Sequence, residues 1–209
     1  MTSKNILINN GNLGRMGKTT LAYTLYKTAK EPFKYVTNDL ENASIKLKNN
    51  IAEGDLTYVP SGTEIDINPK DNIIFDFGGK PDARLLEVAE YVDFIIVPIA
   101  YQSNSELQLT IKNINALMDK NKNIIVIINN TELADTKLVK TTLAVVFEEE
   151  DITILEINHS KFMRRLANEN KTVFEVAMLN KGDATRLNRK IIPQFKELFK
   201  TLDIKLKVK

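Results

Sequence analysis

The sequence predicts an α/β fold in which a mostly parallel, twisted sheet is flanked by helices. Two observations carry this expectation. Short apolar runs rich in β-branched residues alternate with longer segments of helical period. Several runs are apolar on both faces, as Ile124-Ile125-Val126-Ile127-Ile128 shows. Strands buried on both faces belong to a parallel sheet covered by helices.

In chain order, the first strand is Asn5–Ile8, and a helix over Thr19–Ala29 follows it and ends before Pro32. Phe33–Thr37, Leu56–Val59 and Asn72–Phe77 are the next strands. Pro81, a good helix opener, precedes a helix over Asp82–Tyr91. The strands Phe94–Ile99, Ile124–Ile128 and Ile152–Ile157 then alternate with helices over Ser105–Met118, Thr136–Phe147 and Ser160–Asn168. The last helix, Asp183–Leu202, carries Leu187, Ile191, Phe195, Leu198, Phe199 and Leu202 on one stripe, which reads as core. Pro193 either kinks this helix or marks its true start. In sheets of this kind ligands sit at the carboxyl ends of the strands, so the loops there are where chemistry is sought.

Composition narrows the possibilities further. The 209 residues read as a single domain over 1–209, without a low-complexity linker. With 43% hydrophobic and 27% charged residues and a mean hydropathy of −0.21, the chain can bury a core and reads as soluble. Disorder throughout, collagen and membrane barrels are excluded. There is no cysteine, hence no disulfide, thiolate metal site or cysteine nucleophile. No segment approaches the ~20 apolar residues of a membrane span, and Met1 to Ile8 lacks a signal peptide's apolar stretch, so a cytoplasmic protein is expected.

The net charge is only +2, but it is unevenly spread. The basic helix and tail over 180–209 carry +6 on an acidic remainder of −4. Arg186, Arg189 and Lys190 are the candidate contacts of a patch for an anionic partner, non-specific DNA first among them. The alternative is a solvated helix face with a frayed end.

The most informative loop is Asn9-Asn10-Gly11-Asn12-Leu13-Gly14-Arg15-Met16-Gly17-Lys18-Thr19-Thr20, between the first strand and the first helix. That is the context of a phosphate-binding loop. Glycines let backbone N–H groups converge on phosphate oxygens, and the helix N-terminus adds partial positive charge. Lys18 is placed to reach phosphate oxygens, and the Thr19 hydroxyl to ligate Mg²⁺. The strict pattern G-x-x-x-x-G-K-S/T fails at one position, where Asn12 replaces the first glycine. A second stretch, Asn72-Ile73-Ile74-Phe75-Asp76-Phe77-Gly78-Gly79, is a buried strand ending in an acid and two glycines. Asp76 is then a candidate for the metal or its water shell. The glycines allow close approach to a phosphate and movement when it leaves.

These residues resemble the deviant Walker A ATPases of the ParA/MinD superfamily, whose loop reads K-G-G-x-G-K-S/T-S/T. The matching residues here are Leu13 to Thr20. Val36-Thr37-Asn38-Asp39-Leu40-Glu41-Asn42-Ala43-Ser44 resembles the family's switch I segment, and Asp76 falls on its switch II acid. Asp93 to Pro98 resembles the strand written ADxVIIPV, Ile127-Ile128-Asn129 the strand whose Asn contacts adenine, and Phe162 through Glu175 the stretch F…GKTVFE. Within the superfamily the chain looks most like the StbB/TraL type of conjugative plasmids.

The resemblance implies a P-loop NTPase of three layers and a slow, Mg²⁺-dependent ATPase switch in plasmid partition or conjugative transfer. It implies ATP and Mg²⁺ as cofactors and a plasmid-encoded DNA-binding adaptor as partner. Gly14, Arg15, Met16, Gly17, Lys18, Thr19 and Thr20 would hold the phosphates, Asn129 the base, and Thr19 and Asp76 the metal. Lys18, Asp39 and Asp76 would be catalytic, with Asp39 orienting the attacking water. Asn38 competes with Asp39 for the aligned position, but only Asp39 offers a carboxylate. Two departures stand out: the family's signature lysine is Leu13 here, and its second glycine is Arg15. They leave an ATP-dependent homodimer open, with Arg15 as the nearby cation able to replace the lysine. Two rival functions stay in view, a non-hydrolysing nucleotide-binding adaptor and a small-molecule kinase of the dethiobiotin-synthetase kind.

Other residues carry less. His159, the only histidine, reads as a loop residue. The run Glu148-Glu149-Glu150-Asp151 reads as a solvated helix end. Asparagine is frequent throughout, so single asparagines near the loop carry little weight.

Overall fold

The computed structural model describes residues 3–39, 50–60, 62–66, 68, 70–78, 82–129, 131–158, 170–175 and 187–207. Expectations for Asn42-Ala43-Ser44, Gly79, Pro81, His159, the helix Ser160–Asn168, Phe162, Arg186 and the start of the last helix lie outside these residues.

Seven strands form one sheet: β1 Asn5–Ile8, β2 Lys34–Thr37, β3 Leu56–Tyr58, β4 Ile73–Asp76, β5 Phe94–Ile99, β6 Ile124–Asn129 and β7 Thr153–Ile157. Their order is β3-β2-β4-β1-β5-β6-β7, and every pairing is parallel. All seven correspond to apolar runs seen in the sequence, with ends shifted by a residue or so. The register sets Ile8 beside Asp76 and Asp76 beside Thr37. The carboxyl ends of β1, β4 and β2 therefore finish level, and the loops that leave them meet.

Five α-helices are described: α1 Lys18–Thr28, α2 Arg84–Tyr91, α3 Asn104–Met118, α4 Leu133–Val146 and α5 Ile192–Thr201. Alternating strand residues feed two cores. On one face Ile6, Ile8 and Ile74 pack with Leu21 and Leu25 of α1 and with Phe195 and Phe199 of α5. On the other, Leu7, Phe75 and Val97 pack with Val88 of α2, Leu117 of α3 and Leu143 of α4. Each such side chain contributes about 1.5–3 kcal/mol by burial.

Local chemistry sets the helix ends. The Ser103 hydroxyl accepts from Glu106 N at 3.3 Å and caps α3. Helix α4 begins at Leu133, three residues before the expected Thr136; Leu133 is exposed and so leaves no periodic signal in the sequence. Pro193 lies in the first turn of α5, directly after a π-helical turn over Leu187–Ile191. Its missing N–H removes a donor from the ladder there, where the π-helical turn passes into α5. Ile191, Phe195, Leu198, Phe199 and Leu202 of the expected stripe are buried.

The frayed-end alternative fails for 204–207. Lys30 N donates to Lys205 O at 2.7 Å, Lys207 N donates to Thr28 O at 2.8 Å, and Leu206 bridges Ala29 in antiparallel fashion. The Lys4 ammonium also donates to Leu202 O and Asp203 O. Residues 205–207 are thereby docked against the C-terminus of α1.

Candidate functional site

The loop between β1 and α1 is anchored by asparagines, a residue type too common in this chain to draw notice. Asn9 donates from Nδ2 to Phe77 O at 3.0 Å and accepts from Gly11 N at 2.6 Å. Asn10, wholly buried, donates to Pro98 O at 2.8 Å and to Thr110 Oγ1 at 3.1 Å. These bonds tie the loop to the segment after β4, to β5 and to α3. The Met16 side chain is buried, and its sulfur accepts from Ala100 N at 3.2 Å. Met16 therefore serves the loop through its backbone while its side chain acts as an anchor.

Backbone conformation explains the loop's composition. Gly11 and Gly17 have φ of 51° and 86°. Arg15 also takes a left-handed φ, 59°, although it carries a Cβ, and it is exposed. It stands where the resembling family has a glycine, and its conformation shows why a glycine suits the position. Gly14 differs from these: its φ is not left-handed, and a Cβ there would meet nothing within 4 Å. The chain's own packing does not require a glycine at that point.

Lys18 opens α1 and is only 7% exposed. Its ammonium donates to Leu13 O at 2.5 Å, so the lysine arches back over its own loop. Burial lowers its pKa, and attraction to Asp76 and Asp39 opposes that. A Cβ built on Gly78 would lie 3.3 Å from Asp39 Oδ2 and 3.8 Å from Lys18 Cε. The loops after β2 and β4 thus converge on the lysine.

The structure separates Asn38 from Asp39. Asn38 accepts from Gly78 N at 3.0 Å and donates to Asp82 Oδ2 at 2.9 Å, which makes it a strap between the two loops. Asp39 is the residue whose carboxylate faces Gly78 and Lys18. Asp82 in turn forms a two-point ion pair with Arg84, at 2.8 Å to Nε and 2.5 Å to Nη2. Arg84 also donates to Thr63 O and Val59 O.

Asp76 ends β4 and is 4% exposed. The Tyr35 hydroxyl donates to its Oδ2 at 2.7 Å, and Thr37 donates to its backbone carbonyl. Its other oxygen, Oδ1, is buried without a hydrogen-bond partner. Burial raises the pKa of Asp76, while the Tyr35 and Thr19 hydroxyls and the Lys18 charge pull it back. The buried Oδ1 of Asp76 and the Thr19 hydroxyl, which acts on the same carboxylate, are a hard-oxygen pair that suits Mg²⁺. Among the described residues there is no cluster of three or more His, Cys, Asp or Glu able to hold a metal. A Mg²⁺ here would therefore complete its shell with phosphate oxygens and water.

Asn129, at the end of β6, donates to Met16 O at 3.1 Å and braces the loop from the far side. Lys18 is thus coupled electrostatically to Asp76 and Asp39, with Thr19 acting on Asp76 and with Met16, Gly17 and Asn129 forming the loop's brace. Thr20 is half-buried and its carbonyl accepts from Thr24 Oγ1. Arg15, Arg189 and Lys190 are exposed. Glu148 to Asp151 are exposed, as expected of a solvated helix end. Lys171 to Glu175, part of the GKTVFE-like stretch, holds a capping box in which Thr172 N donates to Glu175 Oε2 at 2.8 Å and Glu175 N to Thr172 Oγ1 at 3.1 Å. No helix among the described residues is long and apolar enough to cross a membrane.

No protein-family model matches the chain, and no curated protein matches it in sequence. Solved structures do match in shape. An ATP complex of a McdA variant from Cyanothece superposes with a TM-score of 0.66 at 15% identity, over 100% of this chain and 99% of that one. MinD in the MinC:MinD cell division complex of Aquifex aeolicus gives 0.57 at 17% identity, over 83% and 88%. A plasmid partition protein of Borrelia burgdorferi bound to AMPPNP gives 0.54 at 18% identity, over 93% and 99%. With its all-parallel sheet and the loop that leads into α1, the chain has the fold of the ParA/MinD ATPases.

Proposed function

We propose that the chain is an ATP-binding switch of the ParA-like type that hydrolyses ATP slowly with Mg²⁺. The observation that supports this most is the meeting of Lys18, Asp39 and Gly78, with Asp76 interacting electrostatically, at the level ends of β1, β2 and β4. Backbone N–H groups of the loop and the α1 N-terminus bind the phosphates, and Lys18 leaves Leu13 O to join them. Asp39 orients the attacking water. Thr19 and Asp76 Oδ1 hold Mg²⁺, which when bound neutralises charge on the phosphates. Asn129, committed through Nδ2 to Met16 O, keeps a carbonyl oxygen able to accept from an adenine amino group.

Its biological setting in this reading is plasmid partition or conjugative transfer of the StbB/TraL type, with a DNA-binding adaptor as partner. Arg186, Arg189 and Lys190 supply non-specific DNA affinity. The ATP complex and the plasmid partition protein among the similar folds support this direction. Leu13 favours a second reading, a nucleotide-binding adaptor without turnover, because no cation stands at the family's signature position. Phosphate release measured with ATP and Mg²⁺, with and without DNA, separates the two: turnover supports the switch ATPase, and tight binding with no turnover supports the adaptor.

A further inference from the structure

We infer that Tyr35 is a positioning residue for the metal, one that occupies Asp76 Oδ2 so that Oδ1 alone is left to face it. The inference rests on the nucleotide-and-Mg²⁺ reading above and adds a residue to it. Tyr35 lies in β2, two residues before Thr37, which pairs with Asp76. The tyrosine is fully buried, and its hydroxyl reaches across to the neighbouring strand at 2.7 Å.

Three features distinguish this bond from simple satisfaction of a buried acid. First, it is one-sided. A buried carboxylate kept for structure usually has both oxygens bonded, since a buried unpaired oxygen loses its hydration without replacement. Here Oδ2 is satisfied and Oδ1 is not. Second, the tyrosine is itself immobilised, with the Tyr26 ring edge-on at 6.2 Å and 87°. Tyr26 spends its own hydroxyl on Asp55 Oδ2 at 3.0 Å and on Ala52 N at 2.9 Å, so it holds the ring without touching Asp76. Third, Thr37 fixes the Asp76 carbonyl, so the backbone of the acid is held as well as one oxygen. Rotation of the carboxylate is therefore restrained, and one oxygen is left open to a ligand. A phenol suits this task because it donates one hydrogen bond and brings no charge to compete with a cation.

The test is calorimetric titration of the full chain with ATP, in Mg²⁺ and separately in EDTA, for the parent, Tyr35→Phe and Tyr26→Phe. Tyr35→Phe keeps the ring and removes only the donor, and a thermal melt followed by circular dichroism checks that each variant folds. The expected result is that Tyr35→Phe loses roughly tenfold in affinity in Mg²⁺ and nothing in EDTA, while Tyr26→Phe keeps the parental values in both. Parental affinity for Tyr35→Phe in both buffers overturns the inference. An equal loss in both buffers, or the same Mg²⁺-specific loss in Tyr26→Phe, also overturns it, since the effect is then general to the packing. A parent that binds ATP equally with and without Mg²⁺ removes the metal and this role together. A parent that binds no ATP in either buffer overturns the nucleotide reading itself.

Discussion

The side-chain amide of Asn129 fills the space that any side chain on Gly17 would need: a Cβ there would lie 2.2 Å from Asn129 Nδ2. The same nitrogen donates to Met16 O. The end of β6 and the start of α1 thus lock the loop between them, and the left-handed Gly17 is part of the lock.

Gly17→Ala should therefore cost about 1–3 kcal/mol, from the strained φ together with the clash. Urea denaturation measures it. Adding Asn129→Ala relieves the clash but also removes the bond to Met16 O, so the double variant should be less destabilised than the sum of the two single variants.

Lys18→Ala should weaken ATP binding by roughly 10- to 100-fold or more while the chain stays folded, because charge-assisted bonds to phosphate are removed. The folded state gives up a partly desolvated ammonium, so little stability goes with it. Calorimetry reads the first effect and a thermal melt the second. Unchanged ATP affinity would remove the basis of the proposed function.

Acid should weaken the strap around Asp82. Arg84 holds the Asp82 carboxyl down at about 2, below its ordinary value near 4. A depressed carboxylate stabilises the fold above its unfolded pKa, and that contribution fades as pH falls from about 4 to about 2. Asp82→Asn should cost roughly 1–2 kcal/mol at pH 7, and the gap between variant and parent should close toward pH 2. Denaturation curves at several pH values check the slope.

Replacing Arg186, Arg189 and Lys190 with alanine should weaken DNA binding equally on unrelated sequences. The slope of log K against log salt should flatten by about 0.9 for each phosphate that the variant no longer neutralises. Fluorescence anisotropy at three or more salt concentrations measures this, and a parent with no salt dependence would return the segment to an ordinary solvated face.

If Arg15 replaces the missing signature lysine, light scattering should show an ATP-dependent dimer in the parent that Arg15→Ala loses, with turnover falling alongside. Arg15 is exposed on a loop whose backbone already bears the cost of a left-handed φ at that position. A parent that stays monomeric at saturating ATP and Mg²⁺ would end the dimer idea and favour the adaptor.

The sheet was legible because parallel strands are apolar on both faces, which leaves β-branched runs that nothing else in the chain imitates. The site was legible where chemistry demands a residue type, as at Lys18, Thr19 and Asp76. It was not legible where a common residue does an uncommon job. Asn9 and Asn10 hold the loop, yet they sit in a chain full of asparagine. Tyr35 in an apolar strand reads as core, and only its register against β4 shows that its hydroxyl reaches an acid. Asn38 and Asp39 are adjacent, and sequence alone cannot say which side chain turns toward Lys18. The docking of 204–207 was invisible because antiparallel pairing to a helix end leaves no periodic signature.

That docking makes α1 a rod with the loop proposed to bind phosphate at one end and residues 205–207 at the other, about 16 Å apart for its 11 residues. Whatever tilts or slides this rod when the loop fills must pull on the bonds between Thr28 or Lys30 and Lys205 or Lys207. An affinity tag or fluorophore attached beyond Lys207 is mechanically in series with the phosphate loop. If the proposed function holds, a dye placed there is expected to report occupancy, which a titration with ATP checks.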